Sequence, residues 1–264
     1  MENNVHRLIL TLVLAAFMPM ASQADSSLPF LKHLAGDNQL PRAWGIGLDY
    51  YTMDQDYMVE SLKFELPGVS LGDPSLIDVT NSIDYYDFKA DVWLFPFLNL
   101  FGTVGKVDGD TLVDLSNVPI VGLPFPLGVL PVSYDGTVYG VGFTLVYGAE
   151  NWFTSATTTW TRSDLKGDFK SSVDSLSIQP RVGFIRGSWL GWVGAMYLDI
   201  DENHKGNFNL PIIGPVPFEV GLASADKWNF ALGTAYFFSD QANMTIEFGF
   251  GKRDYTLVNV NYRF

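Results

Sequence analysis

There is no cysteine anywhere in the 264 residues. That excludes disulfide scaffolds, thiolate zinc sites, iron–sulfur clusters and a thiol nucleophile. Charge is also scarce: 17% of residues are charged, while 47% are hydrophobic and 15% aromatic. Such a balance excludes a disordered chain or a coiled coil. Bases are the minority among the charges, 16 Lys and Arg against 29 Asp and Glu. The net charge of −13 argues against a nucleic-acid partner, which is held by Lys/Arg surfaces that displace phosphate counterions. The chain beyond residue 24 also lacks a membrane-crossing helix. Its longest apolar stretch, Val118 to Val132, is broken by Pro119, Pro124, Pro126 and Pro131, each of which removes a backbone donor and clashes with the preceding turn.

What is present begins with an export signal. Arg7 precedes the apolar run Leu8 to Met18, and the small residues Ser22 and Ala24 follow at the positions a signal peptidase reads. The run is shorter than the roughly 20 residues a spanning helix needs. The sequence therefore predicts a cleaved signal at 1–24, an N-terminal extension at 25–41 and one domain at 42–264. The extension holds Leu28, Phe30, Leu31 and Leu34 before Gly36, with Lys32 and His33 between them. This suits one short amphipathic turn that plugs a lumen, rests at the periplasmic membrane face, or simply leads into the domain.

From Ala43 onward the apolar residues alternate. Trp44, Ile46, Leu48 and Tyr50 share one face of a strand, and Gly45, Gly47 and Asp49 the other. Tyr86, Phe88, Ala90 and Val92 oppose Asp87, Lys89 and Asp91; Tyr139, Val141, Phe143 and Leu145 oppose Gly140, Gly142 and Thr144. The same grammar continues through Ile178–Phe184, Trp228–Tyr236 and Met244–Phe250. Soluble sandwich strands run about 5–6 residues with a watery polar face. Runs of about ten residues, with Gly, Ala, Ser and Asn on the second face, fit lipid outside and a crowded lumen inside.

Connections alternate too. Short turns are expected at 96–99, 148–151, 186–189 and 239–242, and long loops at 54–82, 108–133, 164–173 and 204–225, with a short one near Lys252–Asp254. The count is about ten antiparallel strands, all-β, in an up-and-down transmembrane barrel with both ends periplasmic. The third strand (99–107) and the fifth (151–163) lack a clearly apolar face, and Pro180 inside the sixth predicts a bulge. Trp44, Trp93, Phe95, Trp152, Phe153, Trp189, Trp192, Phe238, Tyr262 and Phe264 fall near the periplasmic strand ends. Tyr50, Tyr86, Tyr139, Trp160, Tyr197, Trp228 and Tyr255 fall near the outer ends. Two aromatic belts are what lipid–water boundaries select.

The chain ends with Val258, Val260, Tyr262 and Phe264 in alternation. Together with the leader and strand grammar, this resembles the Gram-negative outer-membrane β-barrel proteins. The resemblance implies that Tyr262 and Phe264 form an assembly signal read by the barrel assembly machinery. It also implies residence in the outer membrane, among outer-membrane lipid.

Chemistry has few footholds. A ten-stranded protease of the omptin type would require paired aspartates and an Asp–His couple near the outer rim. Asp201, Glu202 and His204, with Asp54 and Asp56, supply the residue types, although an acid-rich polar loop is the plainer reading. No Gly-x-Ser-x-Gly nucleophile motif occurs. Asp108, Asp110 and Asp114 lack an EF-hand's closing glutamate. No enzyme activity, metal or cofactor is expected. Instead, a charged belt of Asp49, Asp87, Lys89, Asp91, Arg181 and Glu247 should face the lumen, because charge on the lipid face costs about 2–4 kcal/mol for Arg or Lys at the midplane. With acids outnumbering bases, the belt should favour cations.

Two outer segments are strongly apolar. Val118-Pro-Ile-Val-Gly is echoed by Leu210-Pro-Ile-Ile-Gly, each followed by a Pro/Phe-rich stretch. Apolar area left in water costs roughly 25 cal/mol per Å². These loops should cap the mouth as extended strands, or else shape an apolar pocket from Pro119, Ile120, Phe125, Pro211, Ile212 and Phe218. The sequence thus predicts a narrow channel, transporter or binder for small solutes, apolar ones among the candidates. A structural or surface-interaction barrel with a blocked lumen is the alternative, and a loop-borne hydrolase at His204 a remote one.

Overall fold

The computed structural model describes residues 28–36, 40–64, 69–122, 128–210, 214–224 and 226–264. The expected signal, 1–24, lies outside them, as do Phe125, Pro211 and Ile212. Thirteen antiparallel strands follow in order: β1 (Trp44–Phe64), β2 (Ser70–Leu71), β3 (Asp78–Phe95), β4 (Leu98–Asp114), β5 (Ile120–Val121), β6 (Val129–Gly148) and β7 (Trp152–Gly167). Then come β8 (Phe169–Arg186), β9 (Trp189–Leu210), β10 (Gly214–Ser224), β11 (Trp228–Phe237), β12 (Ala242–Phe250) and β13 (Arg253–Arg263). Among the described residues no helix is long and apolar enough to cross a membrane. A single 3-10 turn, Lys32–Ala35, precedes β1, and another, Pro74–Leu76, lies between β2 and β3.

Ten strands close an up-and-down barrel, β1-β3-β4-β6-β7-β8-β9-β11-β12-β13, with β13 returning to β1. The outward faces carry the grease. Leu48, Phe88, Val104, Val141, Val182, Val193, Phe230 and Phe248 are exposed large hydrophobics, and Phe230 reaches 75%. Soluble monomers do not sustain so large a continuous apolar surface, and lipid supplies the missing cover.

Tyr50, Tyr86, Tyr139, Trp160 and Trp228 are exposed at the outer edge of this band, and Trp44, Tyr147, Trp152, Trp189 and Tyr262 at the short-turn edge. Just beyond the outer row, Asp54, Asp84, Asp108, Asp110 and Asp135 are exposed on the outside of the wall, where water is available to the excess acid. The short turns near both chain ends mark the periplasmic side.

Three aromatics assigned to belts by position do not belong there. Trp192 is 7% exposed, Tyr255 4% and Phe153 8%, and all three point inward. Trp93 also lines the lumen.

The strands run far past the membrane. β1 has 21 residues and β9 has 22, so most of the segments expected as long loops are strand; β7 and β8 are separated by Asp168 alone. The bulge expected at Pro180 is not formed. The β7–β8 register is continuous through Ala156↔Pro180, and the β8–β9 ladder resumes at Arg181↔Gly194 in the register of Ile178↔Tyr197.

In the outer extension the wall changes its strand number. The β1–β13 ladder stops at Gln55↔Arg253, and from Tyr57↔Ser224 to Phe64↔Phe218 the partner of β1 is β10. The other edge of β10 pairs with β9, from Leu222↔Glu202 to Gly214↔Leu210. Strand β10 thus replaces β11, β12 and β13, and the ten-stranded lower tier becomes an eight-stranded upper tier. An eight-stranded barrel has an interior that side chains just fill.

The apolar parity inverts to match: Tyr57, Val59, Val79, Leu115, Val118 and Val216 turn inward and bury one another. Val132 and Phe218 form a second cluster beside them.

Candidate functional site: a two-tier lumen

The barrel encloses a cavity of about 2040 Å³. Leu34, Ala35 and Gly36 of the N-terminal segment reach it at the periplasmic end. This segment is tied to the wall by a hydrogen bond from Phe30 N to Leu94 O at 2.9 Å, and its Phe30 ring sits 6.1 Å from Phe95.

In the lower tier the cavity has two unlike walls. On β1, β3 and β13 it is charged and amide-rich. Lys89 Nζ donates to Asp49 at 3.2 Å, and Asn259 also donates to Asp49. Arg263 Nη2 and Asn99 Nδ2 each donate to Asp91 Oδ1 at 2.6 Å. Asp87 accepts from the Tyr85 hydroxyl at 2.5 Å, and its other oxygen is buried without a partner among the described residues.

The opposite wall is a band of hydroxyls. Thr157, Thr159, Thr161 and Ser163 on β7 face the cavity with Ser175 and Ser177 on β8. This accounts for the fifth predicted strand having no apolar face inside: beyond Phe153, which packs on Trp192, its inner side presents hydroxyl groups.

Glu247 lies behind the cavity surface at 1% exposure. Arg181 holds both its oxygens, at 2.7 and 3.0 Å, while Trp192 Nε1 and the Tyr255 hydroxyl donate at 2.6 and 2.9 Å. Two inward glycines make this possible. A Cβ at Gly233 would fall on the Trp192 ring, and one at Gly249 on the Tyr255 ring.

All six belt residues therefore point into the barrel, five lining the cavity and Glu247 set behind. Sequence reasoning missed Arg253 and Arg263, which share the inward parity of Asn259 and Asn261. With them counted, the four acids of the belt face four bases. The acid excess behind the expected cation preference is thus reduced to the local surroundings of Asp87.

Of the six residues named for the expected loop pocket, the structure describes Pro119, Ile120 and Phe218. Phe218 lines the upper chamber. Pro119 is exposed, its carbonyl accepting from Gly72 N at 2.8 Å, and Ile120 pairs with Leu71 in the small β2–β5 ribbon. The chamber's apolar lining comes instead from the strands, through Tyr57, Val59, Leu62, Val79, Val220 and Leu222.

Asp54 and Asp56, the paired acids expected of a hydrolase, are held apart from His204 along the wall. His204 pairs with Val220, which pairs with Leu62; Asp56 is six residues down β1 from Leu62, about 20 Å of strand. The side chains of residues 201–204 lie outside the described residues. Asp114 serves a turn: hydrogen bonds donated by Ser116 hold its carboxyl below the usual range.

A closed antiparallel barrel with an apolar outer band, two aromatic rows and a polar interior is an outer-membrane β-barrel of the Gram-negative type. Within that class, no known family matches the sequence and no curated protein matches it.

Several solved barrels are similar in outline. The outer membrane protein OprG from Pseudomonas aeruginosa is 11% identical, with 85% of this chain and 98% of that one covered at a TM-score of 0.48. The outer membrane protease OmpT from Escherichia coli is 6% identical, covering 85% and 97% at 0.46. The toluene transporter TodX from Pseudomonas putida is 10% identical, covering 85% and 88% at 0.34. These values are too low to transfer any activity, and the class rests on the barrel's own geometry.

Proposed function

We propose that this barrel binds small, predominantly apolar solutes in its upper chamber and passes them along the lumen. One observation carries the reading: the inward parity turns apolar where β10 replaces three strands, so Val59, Leu62, Val79, Val220 and Leu222 line a cavity. Sites for small molecules are typically concave and apolar with few polar groups. The hydroxyl wall below offers uncharged hydrogen-bonding contacts toward the periplasmic end.

The test is binding of a graded panel of solutes to the refolded barrel, with Val220→Asp and Leu222→Asp as chamber variants. Affinity should rise with apolar area and fall in both variants. No dependence on apolar area would overturn the reading.

A second reading, a structural barrel with a blocked lumen, is favoured by the packing of Leu115, Val118 and Val216 across the outer end. It predicts neither solute binding nor single-channel current. Under either reading, the barrel assembly machinery is the proposed partner of Tyr262 and Phe264.

A further inference from the structure

Seven buried side-chain nitrogen or oxygen atoms lack a hydrogen-bond partner among the described residues, and four of them belong to one neighbourhood: Gln55 Nε2, Ser224 Oγ, Asn229 Oδ1 and Arg253 Nη1. The neighbourhood is the step where the wall passes from ten strands to eight. Gln55 is opposite Arg253, the last pair of the β1–β13 ladder, and Ser224 is opposite Tyr57, the first pair of the β1–β10 ladder. Asn229 Nδ2 donates to Arg253 O at 2.5 Å.

The Arg253 guanidinium is 2% exposed. Its Nε donates to Gln55 Oε1 at 2.8 Å and its Nη2 to Asp226 O at 3.3 Å. Both acceptors are neutral; the exposed Asp226 carboxylate, which accepts from Trp228 N at 2.9 Å, acts on Arg253 only through space, and among the described residues no carboxylate is hydrogen-bonded to it. The buried acid of the neighbouring strand β12, Glu247, is gripped through both oxygens by Arg181. This side of the interior thus holds two guanidinium groups for one carboxylate.

A buried cation without a counter-ion is costly. Water would fill the missing hydrogen bonds but leave the charge, whereas a carboxylate supplies both and suits a guanidinium geometrically.

Resting on the chamber reading above, we propose that Arg253, Gln55 and Ser224 form the head-group site for a monocarboxylate with an apolar body. The carboxylate meets Arg253 Nη1, Gln55 Nε2 and the Ser224 hydroxyl. The body lies against the next inward residues of the same two strands, Val59 on β1 and Leu222 and Val220 on β10, all of which line the cavity. Met53 and Tyr57, the inward neighbours of Gln55 along β1, line the cavity too. The site therefore lies behind the cavity surface that Met53 and Tyr57 line, and entry of the ligand requires the Tyr57 side chain to move aside.

The test compares 3-phenylpropanoate with the neutral 3-phenylpropanamide by calorimetry, using the barrel in lipid discs. The acid should bind at least about tenfold more tightly than the amide, the difference a charged hydrogen-bonded pair provides. Arg253→Met should abolish that preference while leaving amide binding in place. If that variant fails to assemble, Gln55→Leu with Ser224→Ala should narrow the preference several-fold. Equal binding of acid and amide, or a preference that survives in Arg253→Met, would overturn the carboxylate site and leave the chamber reading standing. Binding of neither compound would overturn both.

Discussion

Arg181 on β8 and Glu247 on β12 form a two-pronged ion pair between strands that share no ladder, reaching past β9 and β11. It fastens one side of the lower tier from within. Replacing Glu247 with Gln strands a guanidinium in the interior and should cost about 3–5 kcal/mol, the usual penalty for breaking a buried pair from one side. Arg181→Met with Glu247→Leu should recover most of that loss. Urea unfolding of the three proteins in lipid checks both statements.

Ion selectivity should depend on Asp87 more than on the other lumen acids. Asp49, Asp91 and Glu247 each bond to a Lys or Arg, at 3.2, 2.6 and 2.7 Å. Asp87 has the Tyr85 hydroxyl instead. If the barrel conducts, Asp87→Asn should shift the reversal potential toward anions, and Asp49→Asn should shift it less. A larger shift from Asp49→Asn would mean the pairs do not hold in the conducting state.

The upper tier should be separable in stability from the lower. Leu115 is 1% exposed in its apolar cluster, so Leu115→Ala should destabilise by about 2–5 kcal/mol. Its effect should appear as faster hydrogen exchange in the outer parts of β1, β9 and β10, with the lower ladders of β11 to β13 unchanged. Uniform loss of protection along whole strands would show that the tiers open together.

Tyr262 is exposed at the periplasmic aromatic row, accepting from Gln241 Nε2 at 3.1 Å, and Phe264 N donates to Trp44 O at 3.0 Å. Removing Phe264 should therefore loosen little of the finished wall. We expect less assembled barrel in cells and nearly unchanged refolding in detergent, measured by heat-dependent gel mobility. An equal fall in both would mean that Phe264 acts through stability alone.

Much of the barrel is legible in the sequence because lipid imposes one rule on the lower tier: apolar residues occupy one parity of each strand. The same rule already separated Trp189 from Trp192, since a spacing of three along a strand places two residues on opposite faces. It likewise set Tyr255 apart from Val258. Counting aromatics by height without parity obscured this.

The upper tier was harder to read because its rule is reversed. On β4, Leu100 and Val104 face lipid, whereas Val107 faces the interior. A strand that inverts its apolar parity midway resembles an irregular loop. The replacement of β11–β13 by β10 is a long-range pairing with no local signature, so neither the apolar upper tier nor the Arg253 cluster could be read from spacing.

The sharing of β1 between β13 and β10 gives this barrel two closures in place of one. The outer ring is complete with residues 44–224, before any of the last three strands is needed. Below it, β11, β12 and β13 fill the gap between β9 and β1 as a patch fills a frame. Each closure is a long-range pairing that carries its own loop-closure entropy.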